Sequence, residues 1–183
     1  MSVERWALKV DPIALRIRPA TEADHPAIWG MFHAIISAAD VFAFDPQMSR
    51  EDALAFWCGP DKHVYVAEED GRVAGSYYLK ANQQGGGAHV ANAGYMVSAA
   101  ARGKQIGRAL TEHSLAEARR LGFRAMQFNF VVSTNESAVH LWKEFGFKIV
   151  GTLPGAFQHP HKGFVDVYVM FRSLENDESL AGR

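Results

Sequence analysis

The chain has 183 residues, 48% of them hydrophobic and 21% charged, which is the balance of a globular protein long enough to bury a substantial core. Its net charge of −1 gives no bulk attraction for nucleic acid or anionic lipid, and no apolar segment approaches the length needed to cross a membrane. A single cysteine and an N-terminal segment without a signal-peptide pattern predict a cytoplasmic protein that binds neither nucleic acid nor membrane.

The first third of the chain predicts one strand and two helices. The alternating residues 15–20 predict a short strand. Residues 21–39 predict a helix, because Thr21 can cap it and apolar residues recur at helical spacing. Residues 48–58 predict a second helix with Ser49 as its cap.

The rest of the chain predicts six more strands and two more helices. The stretch 63–81 predicts two strands joined at Asp70 and Gly71, a dipeptide typical of tight hairpins. Residues 103–122 predict a helix that ends at Gly122. The other predicted elements are strands over about 88–98 and 124–132, a helix over 135–146, and strands over 147–153 and 164–171.

This order of elements predicts an α/β fold around one mixed, mostly antiparallel sheet. The strands at about 88–98 and 125–132 flank a helix, so they should be parallel and joined by a right-handed crossover. The elements predict a single domain over 1–172, followed by a polar C-terminal tail over 173–183.

The segment 101–110, at a predicted junction between a strand and a helix, has the properties of a phosphate-binding loop. A helix start presents unpaired backbone N–H groups and the positive end of the helix dipole. Two glycines allow close approach of a ligand and three basic residues add charge, which favours a phosphate or pyrophosphate over a merely solvated helix start. These residues are Gly103, Gly107, Arg102, Lys104 and Arg108.

Two segments resemble the GNAT N-acetyltransferase superfamily. The segment YMVSAAARGKQIGRAL resembles motif A of that family, Q/R-x-x-G-x-G/A, with Arg102, Gln105 and Gly107 at its fixed positions. The segment TNESAVHLWKEFGFKIVG resembles the N-x-x-A segment that follows in the family. The resemblance implies a GNAT fold, with one splayed parallel strand pair and about four helices, in an enzyme that uses acetyl-coenzyme A.

The same resemblance implies which residues contact the coenzyme, through the pantetheine arm and the pyrophosphate. Two positions depart from the family pattern. Gln105 stands where glycine is usual, and Trp142 stands where such enzymes often have the tyrosine that protonates the departing thiolate. The predicted coenzyme-binding residues are Met96, Val97, Arg102, Gly103, Lys104, Gln105, Ile106, Gly107, Arg108, Asn135, Ala138 and Trp142.

Two amides inside predicted strands, Asn92 and Asn129, are the candidate catalytic residues. The strand before motif A lacks the glutamate that many members of the superfamily have there. By alternation, Asn129 shares its face with Gln127 and Val131. The two amides could converge where the sheet splays and hydrogen-bond the acceptor or the acetyl carbonyl. Alternatively, each is a buried asparagine satisfied by backbone groups, or it marks a bulge in its strand.

Within the superfamily, the segments 91–97 and 128–135 are similar to those of fungal N-acetyltransferases of azetidine-2-carboxylate and other proline analogues. This similarity implies that Asn92 and Asn129 bind the substrate and the carbonyl, and that Asn135 contacts the coenzyme. The first two helices match that subgroup much less clearly, and they shape the acceptor pocket, so the acceptor stays open.

The predicted function is transfer of an acetyl group from acetyl-coenzyme A to the amine of a small molecule, by direct attack of the amine. An amino acid or proline analogue is one candidate acceptor. The alternatives are a protein or peptide amine, and a non-catalytic acyl-coenzyme A sensor. The aromatic segment 41–46 either lines the acceptor site or packs on the core. Homodimers are common in this superfamily and are one expected assembly.

The remaining reactive side chains are predicted to be structural. Cys58 follows the apolar run 53–57, which favours a buried small side chain over a nucleophile. His113 lies on the apolar face of its helix and is predicted to be a core histidine. His159 and His161 lie in a predicted loop, and two histidines without a third ligand predict no metal site.

Overall fold

The computed structural model describes residues 15–175, which form one seven-stranded mixed sheet with helices on both faces. The strands are β1 (Arg16–Pro19), β2 (His63–Glu69), β3 (Arg72–Ala81), β4 (Val90–Val97), β5 (Ala125–Val132), β6 (Lys148–His159) and β7 (Gly163–Ser173). The α-helices are α1 (His25–Ala38), α2 (Arg50–Trp57), α3 (Ile106–Arg120) and α4 (Glu136–Glu144). Across the sheet the strands lie in the order β1-β2-β3-β4-β5-β7-β6, and the predicted chain order of elements is confirmed.

Local sequence signals set several element ends as predicted. Ser49 caps α2, because its Oγ accepts a hydrogen bond from the backbone N–H of Asp52 at 3.1 Å. Asp70 and Gly71 have left-handed backbones, with φ of 51° and 73°, as the two-residue turn of a hairpin requires. Gly122, with φ of 85°, follows the last turn of α3.

The helices pack in pairs on opposite faces of the sheet. On one face, Phe32 of α1 and Trp57 of α2 share a core with Val66 and Met96 of the sheet. Burying a large apolar side chain of this kind contributes about 2 kcal/mol. The core on the α3 and α4 face includes Tyr77, Leu110, Phe128, Trp142 and Met170.

No described helix has the length and apolar character needed to span a membrane.

A row of three tyrosines attaches α3 to the sheet. The three residues stand directly opposite one another on β2, β3 and β4, and neighbouring rings lie 5.0 and 5.7 Å apart. Each hydroxyl is hydrogen-bonded to a side chain of α3, which fixes the position of that helix. The pairs are Tyr65 with Glu117 at 2.9 Å, Tyr77 with His113 at 2.7 Å, and Tyr95 with Ser114 at 2.7 Å.

The strands β4 and β5 form the one parallel pair of the described sheet, as predicted. Their ladder joins Val90 to Ala125 and Ala91 to Met126, and it ends there. Both strands continue beyond that point, so they splay apart and leave their facing backbone groups outside the ladder. The candidate functional site lies at this opening.

The strand β6 is longer than the sequence indicates. It was expected to end near residue 153, but it continues to His159. Two register shifts let the strand bend and remain paired with β7. The expectation that His159 lies in a loop is therefore wrong, and only His161 lies in the turn that follows.

The C-terminal end of the fold also lies beyond the predicted boundary. β7 includes Ser173, and Leu174 is buried in the core. These two residues belong to the fold and not to the tail predicted over 173–183. Residues 1–14 and 176–183 lie outside the described part of the chain.

Candidate active site

Two connected spaces open where β4 and β5 splay apart. A groove of about 1080 Å³ runs from the start of α3, past the start of α4, to the β6–β7 hairpin. A cavity of about 300 Å³ lies between the splayed strands and the segment that joins α1 to α2. A ligand in the groove can therefore present one end to a ligand in the cavity. Both spaces are lined by Val41, Phe42, Tyr95, Asn135, Ala138 and Trp142.

The start of α3 forms one end of the groove. Eleven of the twelve residues predicted to bind the coenzyme line this groove, and the exception is Lys104. The ammonium of Lys104 forms an ion pair with Glu69 at 2.8 Å, and its contact with the coenzyme stays a prediction. The first N–H groups of α3 have no partner within the helix, and together with the exposed Arg102 they make this end positive.

Gln105 stands where the loop turns into α3, and its backbone is left-handed, with φ of 63° and ψ of 10°. A residue with a side chain costs about 1 kcal/mol in this conformation, whereas glycine adopts it without strain. This explains why glycine is usual at this position of motif A. Gln105 therefore keeps the backbone path of the motif with a strained residue.

Arg108 connects α3 to the end of α4 across the groove. Its guanidinium pairs with Glu144 and lies 5.3 Å from the ring centroid of Phe145. The pairing offsets the charge of Arg108. The positive potential of the groove therefore comes mainly from the helix start and from Arg102.

The start of α4 contributes one predicted residue and one that sequence reasoning missed. Asn135 caps the helix, since its Oδ1 accepts a hydrogen bond from the backbone N–H of Ala138 at 3.4 Å. Thr134 lines the groove, and its Oγ1 is buried and has no hydrogen-bond partner in the described part of the chain. A buried hydroxyl without a partner is costly, so this atom indicates a place for a polar ligand group. Its position directly before the cap residue was the signal available in the sequence.

The hairpin of β6 and β7 reaches the groove with His159 and Lys162, which the sequence did not indicate as site residues. The backbone N–H of His161 donates a hydrogen bond to Nδ1 of His159 at 3.1 Å. Among the described residues, no group of three or more His, Cys, Asp and Glu side chains could hold a metal ion.

The cavity is walled by aromatic side chains. Phe42 and Phe44 line it and also pack on Phe32 of α1, with ring centroids 6.4 and 5.2 Å apart. The aromatic segment between α1 and α2 therefore both lines the site and packs on the core. Trp57 and Tyr78 extend this wall and meet edge to face at 4.9 Å. Such packing makes the wall rigid.

Asn92 and Asn129 both line the cavity, and each is already hydrogen-bonded within the protein. Asn92 Nδ2 donates to the carbonyl of Gln127 at 2.9 Å, and its Oδ1 accepts from the Tyr78 hydroxyl at 3.4 Å. Asn129 Nδ2 donates to Asn82 Oδ1 at 2.6 Å, and its Oδ1 accepts from Gln127 Nε2 at 2.8 Å. Asn92 bridges the splayed strands β4 and β5, whereas Asn129 links β5 to Asn82, which follows β3. Each Nδ2 has a second N–H beyond the one used in these bonds.

A bulge in β5 changes one of the predicted faces. The ladder with β7 shifts between Phe128 and Val131, and both of these side chains pack in the same core. Val131 therefore lies with Phe128 and not with Asn129, contrary to simple alternation. Gln127 does share the face of Asn129, as its hydrogen bond to that residue shows.

Neither a carboxylate nor a basic side chain lines the cavity in the described part of the chain. Burial raises the pKa of the Tyr78 phenol to about 12, so this hydroxyl keeps its proton at neutral pH. Burial likewise raises the pKa of the Cys58 thiol, which lies outside both spaces. The cavity walls thus lack a group that would act as a base near neutral pH.

Comparison with known proteins gives one consistent result. Residues 29–147 match the model of the acetyltransferase (GNAT) family. N-acetyltransferase aca1 of Schizosaccharomyces pombe is 38% identical, over 77% of each chain. The structure of a GCN5-related N-acetyltransferase from Kribbella flavida is 48% identical, with a TM-score of 0.84 over 87% of this chain and 98% of that one. The fold is shared with yncA of Salmonella typhimurium, solved with its cofactor acetyl-CoA, at 24% identity and a TM-score of 0.79 over 89% and 95% of the two chains.

A splayed parallel strand pair beside a positively charged helix start is the architecture of an acetyltransferase. The chain belongs to the acetyltransferase (GNAT) family. The predicted fold and enzyme class are confirmed, whereas the more specific similarity to proline-analogue acetyltransferases stays a prediction.

Proposed function

We propose that this acetyltransferase moves an acetyl group from acetyl-coenzyme A to the amine of a small molecule, with an amino acid or proline analogue as the candidate acceptor. The observation that carries the proposal is the aromatic cavity of about 300 Å³ that opens into the groove. A cavity of this size suits a small acceptor. A protein or peptide acceptor, the alternative, requires an open groove on the acceptor side.

Three features of the larger groove support acetyl-coenzyme A as the donor. The start of α3 and Arg102 suit a pyrophosphate. The buried hydroxyl of Thr134 suits a polar group of the same ligand. The backbones of Met96 and Val97, past the end of the parallel ladder, suit the amides of the pantetheine arm. When bound, this donor supplies a thioester whose carbonyl carbon the acceptor nitrogen attacks directly.

We assign to Asn92 and Asn129 the role of donating hydrogen bonds to the carbonyl oxygen of the thioester and to the acceptor. Each has a second N–H that can be donated to a ligand, and the bonds already formed hold both amides in place. A preorganised donor of this kind is worth roughly 3 kcal/mol in the transition state. No covalent enzyme intermediate is needed, and the protonated Cys58 lies outside the site.

Replacing either amide tests this assignment. We expect Asn92→Ala and Asn129→Ala each to slow turnover by about 100-fold, because one donor is lost. Melting temperatures serve as the control, since Asn92 also bridges two strands. Intact turnover in both variants would show that the amides act only as structural bridges.

The cavity also predicts the pH dependence of the reaction. Since no carboxylate lines it, the acceptor must arrive neutral or lose its proton to water. The rate should therefore rise from about pH 6 to about pH 9, as more of the amine is deprotonated. A flat profile over this range would contradict the proposal.

A thiol-release assay with a panel of acceptors tests the function itself. The panel contains azetidine-2-carboxylate, hydroxyproline, simple primary and secondary amines, and peptides with a free N-terminus or lysine. Release of the thiol with a small amine and not with peptides is the expected result. Binding of the coenzyme without turnover on any member would favour the acyl-coenzyme A sensor instead.

The cytoplasmic location and the homodimer remain part of this proposal. The single cysteine favours the first. For the second, exposed apolar side chains on β6 and β7, among them Val150 and Phe164, offer a surface that a second copy could cover.

A further inference from the structure

Tyr78 is the tyrosine whose hydroxyl lies on the cavity side of the sheet. Its neighbour in the chain, Tyr77, points to the other face, where its hydroxyl meets His113 of α3. Tyr95 also lines the cavity, but its hydroxyl is hydrogen-bonded to Ser114 of α3 at 2.7 Å. Among the described residues that line the cavity, the phenol of Tyr78 is therefore the hydroxyl available to a ligand.

The ring of Tyr78 is held on several sides. It meets Trp57 and Phe56 edge to face, with centroids 4.9 and 5.9 Å away. The ammonium of Lys62 lies 5.7 Å from its centroid. Gly94 leaves room for it, because a Cβ at that position would come within 2.5 Å of the ring. The hydroxyl therefore has a fixed position in the cavity wall.

The Tyr78 hydroxyl also has an acceptor within the protein, Asn92 Oδ1, at 3.4 Å. Asn92 Nδ2 donates to the carbonyl of Gln127 at 2.9 Å, which sets the orientation of the carboxamide and leaves Oδ1 toward Tyr78. A carboxamide oxygen only accepts, so the phenol donates its proton to it. The lone pairs of the phenol oxygen are then free to accept a hydrogen bond from a ligand.

We propose that the hydroxyl of Tyr78 receives the acceptor, by accepting a hydrogen bond from the N–H of the attacking amine. This inference rests on the proposed function, since it requires an amine in the cavity. The bond orients the nitrogen, and it strengthens as the nitrogen becomes positively charged during attack. As the C–N bond forms, the C–S bond of the thioester breaks and the coenzyme leaves as a thiolate that takes a proton from water. Tyr78 stays a neutral phenol throughout, and the amine proton leaves to water.

The substitution Tyr78→Phe tests the inference, because it removes the hydroxyl and keeps the ring. We expect kcat/KM for the best amine of the panel to fall by about tenfold to about 100-fold, the loss of one hydrogen bond to a charged group. The affinity for acetyl-coenzyme A should stay within about twofold, since Tyr78 does not line the groove. Tyr168→Phe, which removes a hydroxyl from β7 outside both spaces, is the matched control.

Two further measurements separate amine binding from a structural or basic role. Calorimetry measures the binding of the amine and of the matching ether, in which an oxygen atom replaces the N–H. For azetidine-2-carboxylate, the matching ether is oxetane-2-carboxylate. Tyr78→Phe should weaken binding of the amine and leave binding of the ether unchanged, which also reports an intact cavity. The pH–rate profile of Tyr78→Phe should have the same shape as that of the unchanged protein, with lower rates throughout, because a neutral phenol does not take up the amine proton.

The outcomes distinguish failure of the inference from failure of the proposed function. If the unchanged protein acetylates no amine, the proposed function fails and the inference with it. If the unchanged protein is active and Tyr78→Phe matches it within about twofold, only the inference is overturned. Equal loss of amine and ether binding in the variant would also overturn it.

Discussion

The coenzyme groove and the acceptor cavity are built in opposite ways. Most of the groove comes from two continuous segments, 95–108 and 134–144, and much of its chemistry lies in backbone groups at helix starts. The cavity collects side chains from the segment after α1, from α2, and from β3, β4 and β5. Backbone recognition tolerates a change of side chain, as Gln105 shows. Recognition by side chains allows the acceptor to change while coenzyme binding is kept.

The largest effect is expected from a charge placed in the groove. Gly107 lies in the first turn of α3, and a Cβ there would make only ordinary contacts, 3.6 Å from Leu141 and 3.9 Å from Val97. We expect Gly107→Asp to weaken binding of acetyl-coenzyme A by about 100-fold or more, because a carboxylate would repel the phosphates. Calorimetric titration with the coenzyme measures this loss.

The fold should not suffer from the same change. A carboxylate in the first turn of a helix stabilises it by about 0.5 kcal/mol, so Gly107→Asp should unfold at the same temperature or slightly higher. Gly107→Ala is the matched control, with added bulk and no charge, and should bind the coenzyme within about threefold of the unchanged protein. An equal loss of coenzyme affinity in both variants would mean that the added bulk, and not the charge, weakens binding of the coenzyme.

A second prediction concerns the support of the cavity. Phe32 of α1 packs against the cavity wall, and the start of α1 is attached to the sheet through Asp24. Both guanidinium N–H2 groups of Arg18 donate to the Asp24 carboxylate at 2.8 Å, and the backbone N–H of Thr21 donates to it as well. The Asp24 side chain is only 7% exposed. We expect Asp24→Asn to lower the free energy of unfolding by about 2 kcal/mol.

The pH dependence of stability tests the same contact. The hydrogen bonds from Arg18 hold the pKa of Asp24 well below its usual range. A carboxyl with a lowered pKa in the folded state stabilises above its unfolded pKa of about 4, and that contribution is lost as the pH falls further. Between about pH 5 and about pH 2, the unchanged protein should therefore lose stability more steeply than Asp24→Asn. Asp70→Asn, in the exposed turn between β2 and β3, is the control and should change both quantities little, because asparagine adopts the same left-handed backbone.

The same contrast explains how far the sequence could predict the site. The groove was predictable because its residues are consecutive, so that glycines, basic residues and a helix start are visible as one pattern. The exception, Lys104, pairs with Glu69, a residue 35 positions away that no local pattern connects to it. The order of strands and helices was predictable for a similar reason, since periodicity and turn residues are local signals.

The cavity was much less predictable. Trp57, Phe44 and Tyr78 look like ordinary core residues in the sequence, and only the fold brings them together around one space. A bulge was one alternative for Asn129, but the residues of β5 alternate between aromatic and polar as in a regular strand, so the predicted face of Val131 was wrong. Asn92 and Asn129 could be singled out because they are polar residues inside otherwise apolar strands. Their hydrogen bonds to Gln127 and Asn82 could not be predicted, because they depend on the splayed geometry.

The smallest predicted effect tests the tolerance of the groove for its strained residue. Gln105→Gly should raise the free energy of unfolding by about 0.5–1 kcal/mol, because glycine adopts the left-handed backbone without the Cβ conflict. Urea unfolding of the two proteins measures the difference. Gln105→Ala keeps the strain and removes only the side-chain amide, so it should show no such gain. If alanine stabilised the protein as much as glycine, backbone strain at Gln105 would not be the cause of the gain in stability. The gain would then come from removing the side-chain amide of Gln105.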